Sequence, residues 1–166
     1  MPQTSRLAEI EKELELKHEI LNSAKKRLAM TDEIFAKTAI QQRIREEVIP
    51  EIRQCEAEYW DLLTQESALS TVEEVDAQNA IVEVVGEVEH IEKQTATNYP
   101  DELMRLLREI RDKLNEPGTP AAAKAKLALP LIPGILAYEV ELDTENTLRK
   151  VLQPIKRLFR DATPKK

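Results

Sequence analysis

One stretch limits what this chain can fold into: Leu129-Pro130-Leu131-Ile132-Pro133-Gly134-Ile135-Leu136-Ala137-Tyr138-Glu139-Val140-Glu141-Leu142-Asp143. It is the only apolar, nearly uncharged run punctuated by Pro and Gly in a chain that otherwise reads as charged amphipathic helix. A run of this kind must be covered by the fold or by a partner. Pro130 and Pro133 argue against a regular helix, and Pro133-Gly134 is a turn signal. Tyr138 to Leu142 alternates with period two, as a half-buried strand does. Lys124 to Leu129 supplies an opposing extended piece. The sequence therefore predicts a small β-hairpin or extended segment over 124–143. It must pack on helices or on another chain, because two strands alone are marginal in water.

The rest of the chain predicts helix. Charged residues make up 33% of the 166 positions and aromatic residues 4%, with three glycines. That composition suits long helices with narrow apolar seams rather than a β-sandwich or a large enzyme core. Leucine recurs every seven residues at Leu7, Leu14, Leu21 and Leu28, a coiled-coil seam with a mixed second row at Ile10, Lys17 and Ala24. Met30-Thr31-Asp32 reads as a break, with Thr31 or Asp32 capping the next helix. A second seam follows at Val48, Ile52, Cys55, Tyr59 and Leu62, and Pro50 should kink or interrupt it near residues 46–49. Two long helices and a short turn imply an antiparallel hairpin over 1–68.

A second region, 69–166, opens with Ser70-Thr71-Val72-Glu73, the pattern of a capping box. The third helix shows Ile81, Val84, Val85, Val88 and Ile91 on one face and ends at Thr95 to Tyr99. Pro100 suits the first turn of a fourth helix, which Asn115-Glu116-Pro117-Gly118 stops. Asp143 or Thr144 caps a final helix carrying Leu148, Val151, Leu152, Ile155, Leu158 and Phe159, bent by Pro154. The expected fold class is mainly α: a helical hairpin or coiled coil, then a helical region with the extended segment and a basic C-terminal helix.

Charge is unevenly spread. The net charge of −7 disfavours nucleic acid as a partner of the whole molecule. All charges from Glu73 to Glu92 are acidic, whereas those from Arg149 onward are nearly all basic. The acidic helix reads as a solvated face or as a dock for a basic surface, including this chain's own tail. Cys55 is the only cysteine, so no intrachain disulfide can form. The N-terminus lacks the apolar core of a secretion signal, and no single apolar run reaches the roughly 20 residues of a spanning helix. A cytoplasmic location is expected.

Candidate chemistry is thin. Glu15-Leu16-Lys17-His18 and Glu87-Val88-Glu89-His90 are Glu-x-x-His pairs of the kind that di-iron bundles aim inward. At about 100° per residue, however, His90 lies well off the Val84–Val88–Ile91 face, and His18 flanks the leucine seam. Cys55 has no Cys-His signature around it and sits on an apolar seam. Gly86, Gly118 and Gly134 are too far apart to form a phosphate cradle. No catalytic, metal or cofactor-binding residue is assigned, and no cofactor is expected. Trp60 beside Tyr59 reads as core packing or as an interface anchor.

Residues 121–159 resemble a C-terminal segment of many uncharacterised bacterial proteins, especially cyanobacterial ones. The matching pieces are Leu129-Pro130-Leu131-Ile132-Pro133, Tyr138-Glu139, and Leu142-Asp143-Thr144-Glu145 before a basic helix. In that group the segment follows helical, effector-associated adaptor modules. Their companion domains are nucleotide-binding switches, caspase-like peptidases and pentapeptide repeats. The segment is also similar to bacterial adaptors described as TRADD-N-like. The resemblance covers about a quarter of the chain and implies adaptor or scaffold work in a bacterial defence or cell-death network, without catalytic residues.

The expectation is thus a non-enzymatic adaptor that forms a homo-oligomer, most simply a dimer, and links to a protein effector or sensor. Leu7, Leu14, Leu21, Leu28, Val48, Ile52, Tyr59 and Trp60 would carry assembly. Leu131, Ile132, Ile135 and Tyr138, with Lys156 and Arg157 of the basic helix, would carry fold specificity or partner contact. The alternative is a membrane-active effector that engages anionic lipid through the apolar segment and the basic helix.

Overall fold

The run that reads as strand is helix. The computed structural model describes residues 2–68, 70–94, 99–142 and 147–162, and the protein is mainly α-helical. No strand occurs among the described residues. The elements are α1 (Pro2–Met30), α2 (Ile34–Arg43), a π-helical turn (Ile44–Val48), α3 (Ile49–Ser67), α4 (Glu74–Lys93), α5 (Asp101–Leu114), α6 (Ala121–Ala128), a 3-10 turn (Leu129–Leu131), α7 (Ile132–Leu142) and α8 (Thr147–Ala162). The expected caps at Asp143 and Thr144, the helix end at Thr95 to Asn98, and the side chains of Val140 and Leu142 lie outside the described residues. The chain divides into two compact units, residues 1–59 and 60–166.

In the first unit, α1 buries Leu7, Ile10, Leu14 and Leu21, while Leu28 is half-buried. Its contacts join early residues to late ones. Arg6 Nη2 donates to Glu58 Oε2 at 2.6 Å, the Cys55 thiol lies 3.8 Å from the Ile10 carbonyl, and Lys17 Nζ lies 4.0 Å from Glu51 Oε2. Glu33, rather than Thr31 or Asp32, caps α2: its Oε2 accepts from the Ala36 amide at 2.6 Å. The Thr31 hydroxyl instead donates back to the Arg27 carbonyl at 2.6 Å, closing α1. Pro50 interrupts the α pattern in the region expected. Its ring would crowd the carbonyl four residues earlier, and the chain widens to a π turn just before it. There the Ile49 amide donates to Ile44, five residues back.

In the second unit α4 packs against α5, α6 and α8, α5 also packs on α6 and α7, and α7 on α8. The capping box at Ser70–Glu73 does not form. The N-cap of α4 is Glu73, without a side-chain bond, and the Ser70 hydroxyl donates to the Ser67 carbonyl at 3.2 Å. Small residues let α6 lie close to α4: Ala121, Ala125 and Ala128 on one side, Ala77 and Ala80 on the other, are all buried. Pro100 is the N-cap of α5, one residue outside the helix, and Gly118 takes φ +81° in the turn after α5.

The expected extended segment over 124–143 is corrected by this packing. Leu129, Ile132, Leu136 and Glu139 recur at three, four and three residues, a helical stripe, and all four are buried. Pro130 and Pro133 each stand second in their helical segment, where a missing N–H removes no intrahelical bond. Leu129 and Ile132 precede prolines, which disfavours the helical region, yet both adopt it. Both are 0% exposed, and about 1.5–3 kcal/mol of burial for each outweighs that local preference.

Candidate interaction site

Most of the residues singled out from the sequence are core. Ile52, Ile132 and Ile135 are 0% exposed, Tyr59 1% and Trp60 2%. Val48, Leu131, Tyr138 and Lys156 are half-buried, and Arg157 is exposed. Trp60 packs within the second unit, where a gap of about 10 Å³ is lined by Trp60, Leu136, Arg149, Leu152, Gln153 and Lys156. That is too small to hold more than one water. Tyr138 Oη donates to Glu102 Oε2 at 3.2 Å, tying α7 to α5.

The exposed apolar side chains are elsewhere, and the heptad reading did not find them. Leu16, Ile20, Met30, Ile34 and Phe35 are 56–83% exposed and cluster within residues 16–35 of the first unit, whereas Val75, Val82 and Leu127 are exposed in the second. On α1 they belong to a second stripe, Leu16–Ile20–Ser23–Arg27–Met30, spaced four, three, four, three. It lies about 150° round the helix from the buried leucines. The signal was in the sequence, on a face of α1 that the heptad count did not follow. An open groove of about 650 Å³ runs along this stripe, with Leu16, Ile20 and Ala24 on one wall and Ile40, Ile44 and Val48 on the other. Glu19, Arg27 and Arg43 stand on it as the charged lining.

In the second unit the acidic and basic helices meet each other. A groove of about 400 Å³ between α4 and α8 is lined by Glu73, Asp76 and Glu83 on one side and by Arg157, Leu158 and Asp161 on the other. The acidic face thus has this chain's own basic helix as a neighbour. Two carboxylates also act across elements. Glu74 accepts from the Ala121 amide at 2.6 Å and the Ala122 amide at 3.2 Å, and Glu139 accepts from the Arg149 amide at 3.0 Å.

The nucleophile and metal candidates do not converge. Burial pushes the Cys55 thiol up from its ordinary pKa, and the nearby Glu13 carboxylate adds to the effect. A thiol held neutral is a poor nucleophile. His90 is exposed and shares a 3.0 Å hydrogen bond with Gln94 on its own helix, and His18 is half-buried. No group of three or more His, Cys, Asp or Glu side chains placed to hold a metal ion occurs among the described residues.

End to end, α6, the 3-10 turn and α7 make one apolar helical stretch over Ala121–Glu139. Its 19 residues and mean hydropathy of 1.2 would suffice to cross a membrane by length and composition. This differs from the sequence reading, which found no single apolar run near the length of a spanning helix. The stretch packs on α4, α5 and α8 through buried side chains such as Ala125, Leu129 and Ile135. No family model, no curated protein and no solved structure matches this chain.

Proposed function

We propose that this chain is a non-enzymatic adaptor or scaffold. Its first unit is an antiparallel helical hairpin that assembles and presents an apolar surface. Its second unit is a helical body that carries the segment resembling effector-associated bacterial proteins. The partner class is a signalling or effector protein of a defence or regulated cell-death network. One observation carries this reading: the clustering of exposed large apolar residues within 16–35. Apolar patches of this kind mark interaction surfaces. Ile34 and Phe35, 70% and 81% exposed, follow the turn after α1 and suit a hot-spot contact.

The test is cross-linked affinity capture from the native host, with wild type and Phe35→Asp compared at equal folded concentration. The adaptor reading expects a specific protein carrying a signalling or effector domain, lost in the variant. Recovery of the same proteins by both chains would overturn the assignment of the patch.

A second reading has its own observation in the apolar stretch Ala121–Glu139, which a membrane-active effector would release from the second unit onto lipid. Co-sedimentation with anionic vesicles separates the two, because the adaptor stays in the supernatant.

A further inference from the structure

We propose that the groove on the first unit is a self-association face, filled by α1 of a second copy running antiparallel about a two-fold axis near Ser23. This deepens the assembly part of the adaptor reading and moves the contact away from the leucine row. Leu7, Leu14 and Leu21 are already buried within one chain. The second stripe is not.

Charge complementarity selects the occupant. Along α1 the five glutamates Glu9, Glu11, Glu13, Glu15 and Glu19 outnumber the interspersed Arg6, Lys12 and Lys17, and they precede the wholly basic run Lys25-Lys26-Arg27. A parallel copy would set like charge against like. Antiparallel about Ser23, the two helices overlap over residues 16–30, and there Glu19 of each copy lies opposite the basic end of the other. An axis at Ser23 brings Glu19, which lines the groove beside the stripe, opposite Arg27 twice over, and Leu16 opposite Met30 twice over. Among the described residues neither Glu19 nor Arg27 has an ion-pair partner within the chain. Glu19 and Arg27 are about 12 Å apart on one helix, too far to pair with each other.

Sterics agree with this register. Ser23 at the axis is small, so the two backbones can approach. Ile20 falls between Ser23 and Arg27 of the second copy, beside the Ile40–Ile44 wall of the groove. A closed two-fold contact also explains how one surface can satisfy itself without growing into a filament. The groove is lined by only ten residues, fewer than the roughly 20–30 per side of a standard interface. A contact of this size is expected to be a weak, exchanging one.

Sedimentation equilibrium of the full chain across micromolar concentrations tests this. Wild type is expected to exchange between monomer and dimer. Ile20→Glu, at a position 56% exposed, should raise the dissociation constant about tenfold or more without loss of helix by circular dichroism. Glu19→Arg and Arg27→Glu should each weaken self-association, because each sets like charges together at two places. An equimolar mixture of those two single variants should associate as well as wild type, since both cross-pairs become attractive again.

A chain that stays monomeric throughout overturns the proposal and the assembly half of the adaptor reading. A dimer indifferent to Ile20→Glu overturns the face while that reading stands. Failure of the mixture to recover overturns the antiparallel register. A monomer whose Ile20→Glu variant loses a different protein assigns the groove to that protein instead.

Discussion

Glu74 and Glu139 each cap a helix other than their own, and this makes two carboxylates structural. The first amides of α6 and the third of α8 have no intrahelical acceptor, and a negative oxygen there also meets the positive end of the helix dipole. Glu74→Ala and Glu139→Ala should each cost about 1–2 kcal/mol, read as a lower denaturant midpoint. Glu139, 4% exposed, should be the more sensitive of the two. Cys55 sets a pH limit. Its folded pKa is raised by burial first and by Glu13 second. Below its unfolded pKa the stability is complete, and as pH rises above about 9 the unfolded chain loses the proton first. Stability should then fall by up to about 1.4 kcal/mol per pH unit. Denaturant titrations from neutral pH to above pH 10 should show this limb, and Cys55→Ala should flatten it. Tyr99, raised by burial and by the Glu139 charge, acts in the same direction at higher pH.

At the scale of elements, the stretch from α6 to α7 shows tertiary contacts overruling local preference. Its prolines stand at helix starts and its period-two alternation is only five residues long. The stripe from Leu129 to Glu139 faces α5 and α8. Ile135, 0% exposed, is the sharpest test. Ile135→Ala should cost about 2–5 kcal/mol through the cavity it leaves, measured as a shift in the denaturant midpoint. Ile135→Asp buries a charge without a counter-ion and should unfold the second unit outright. The π turn before Pro50 is the other case. The proline is legible in the sequence, but the widened turn is one of several ways to accommodate it.

At the scale of the molecule, the two units make separable demands. Residues 1–59 hold together through the buried side chains of α1 and α3 and through contacts such as Arg6 with Glu58. Ile135→Asp should therefore leave this region helical while residues 60–166 lose protection. Limited proteolysis followed by mass spectrometry would show cuts confined to the second unit. Cuts spread over both would mean that the first unit cannot stand alone.

Helix as the dominant element was legible from composition and from the spacing of Leu7, Leu14 and Leu21, because one-dimensional periodicity reports which face of a helix turns inward. The end of α5 and the disturbance at Pro50 were legible for the same reason: local chemistry decides where a regular helix must stop or yield. The identity of the caps was not. Glu74 and Glu139 reach amides 47 and 10 residues away, and no local pattern specifies that. Nor could the sequence decide between strand and helix over 129–142, since a short apolar run fits either until its neighbours are present. The same limit applied to the interaction face. Two apolar stripes run along α1, and only the tertiary structure shows that the leucine row is covered while the row of Leu16 and Ile20 is left open. Burial is a property of what packs opposite a residue, and that information lies elsewhere in the chain.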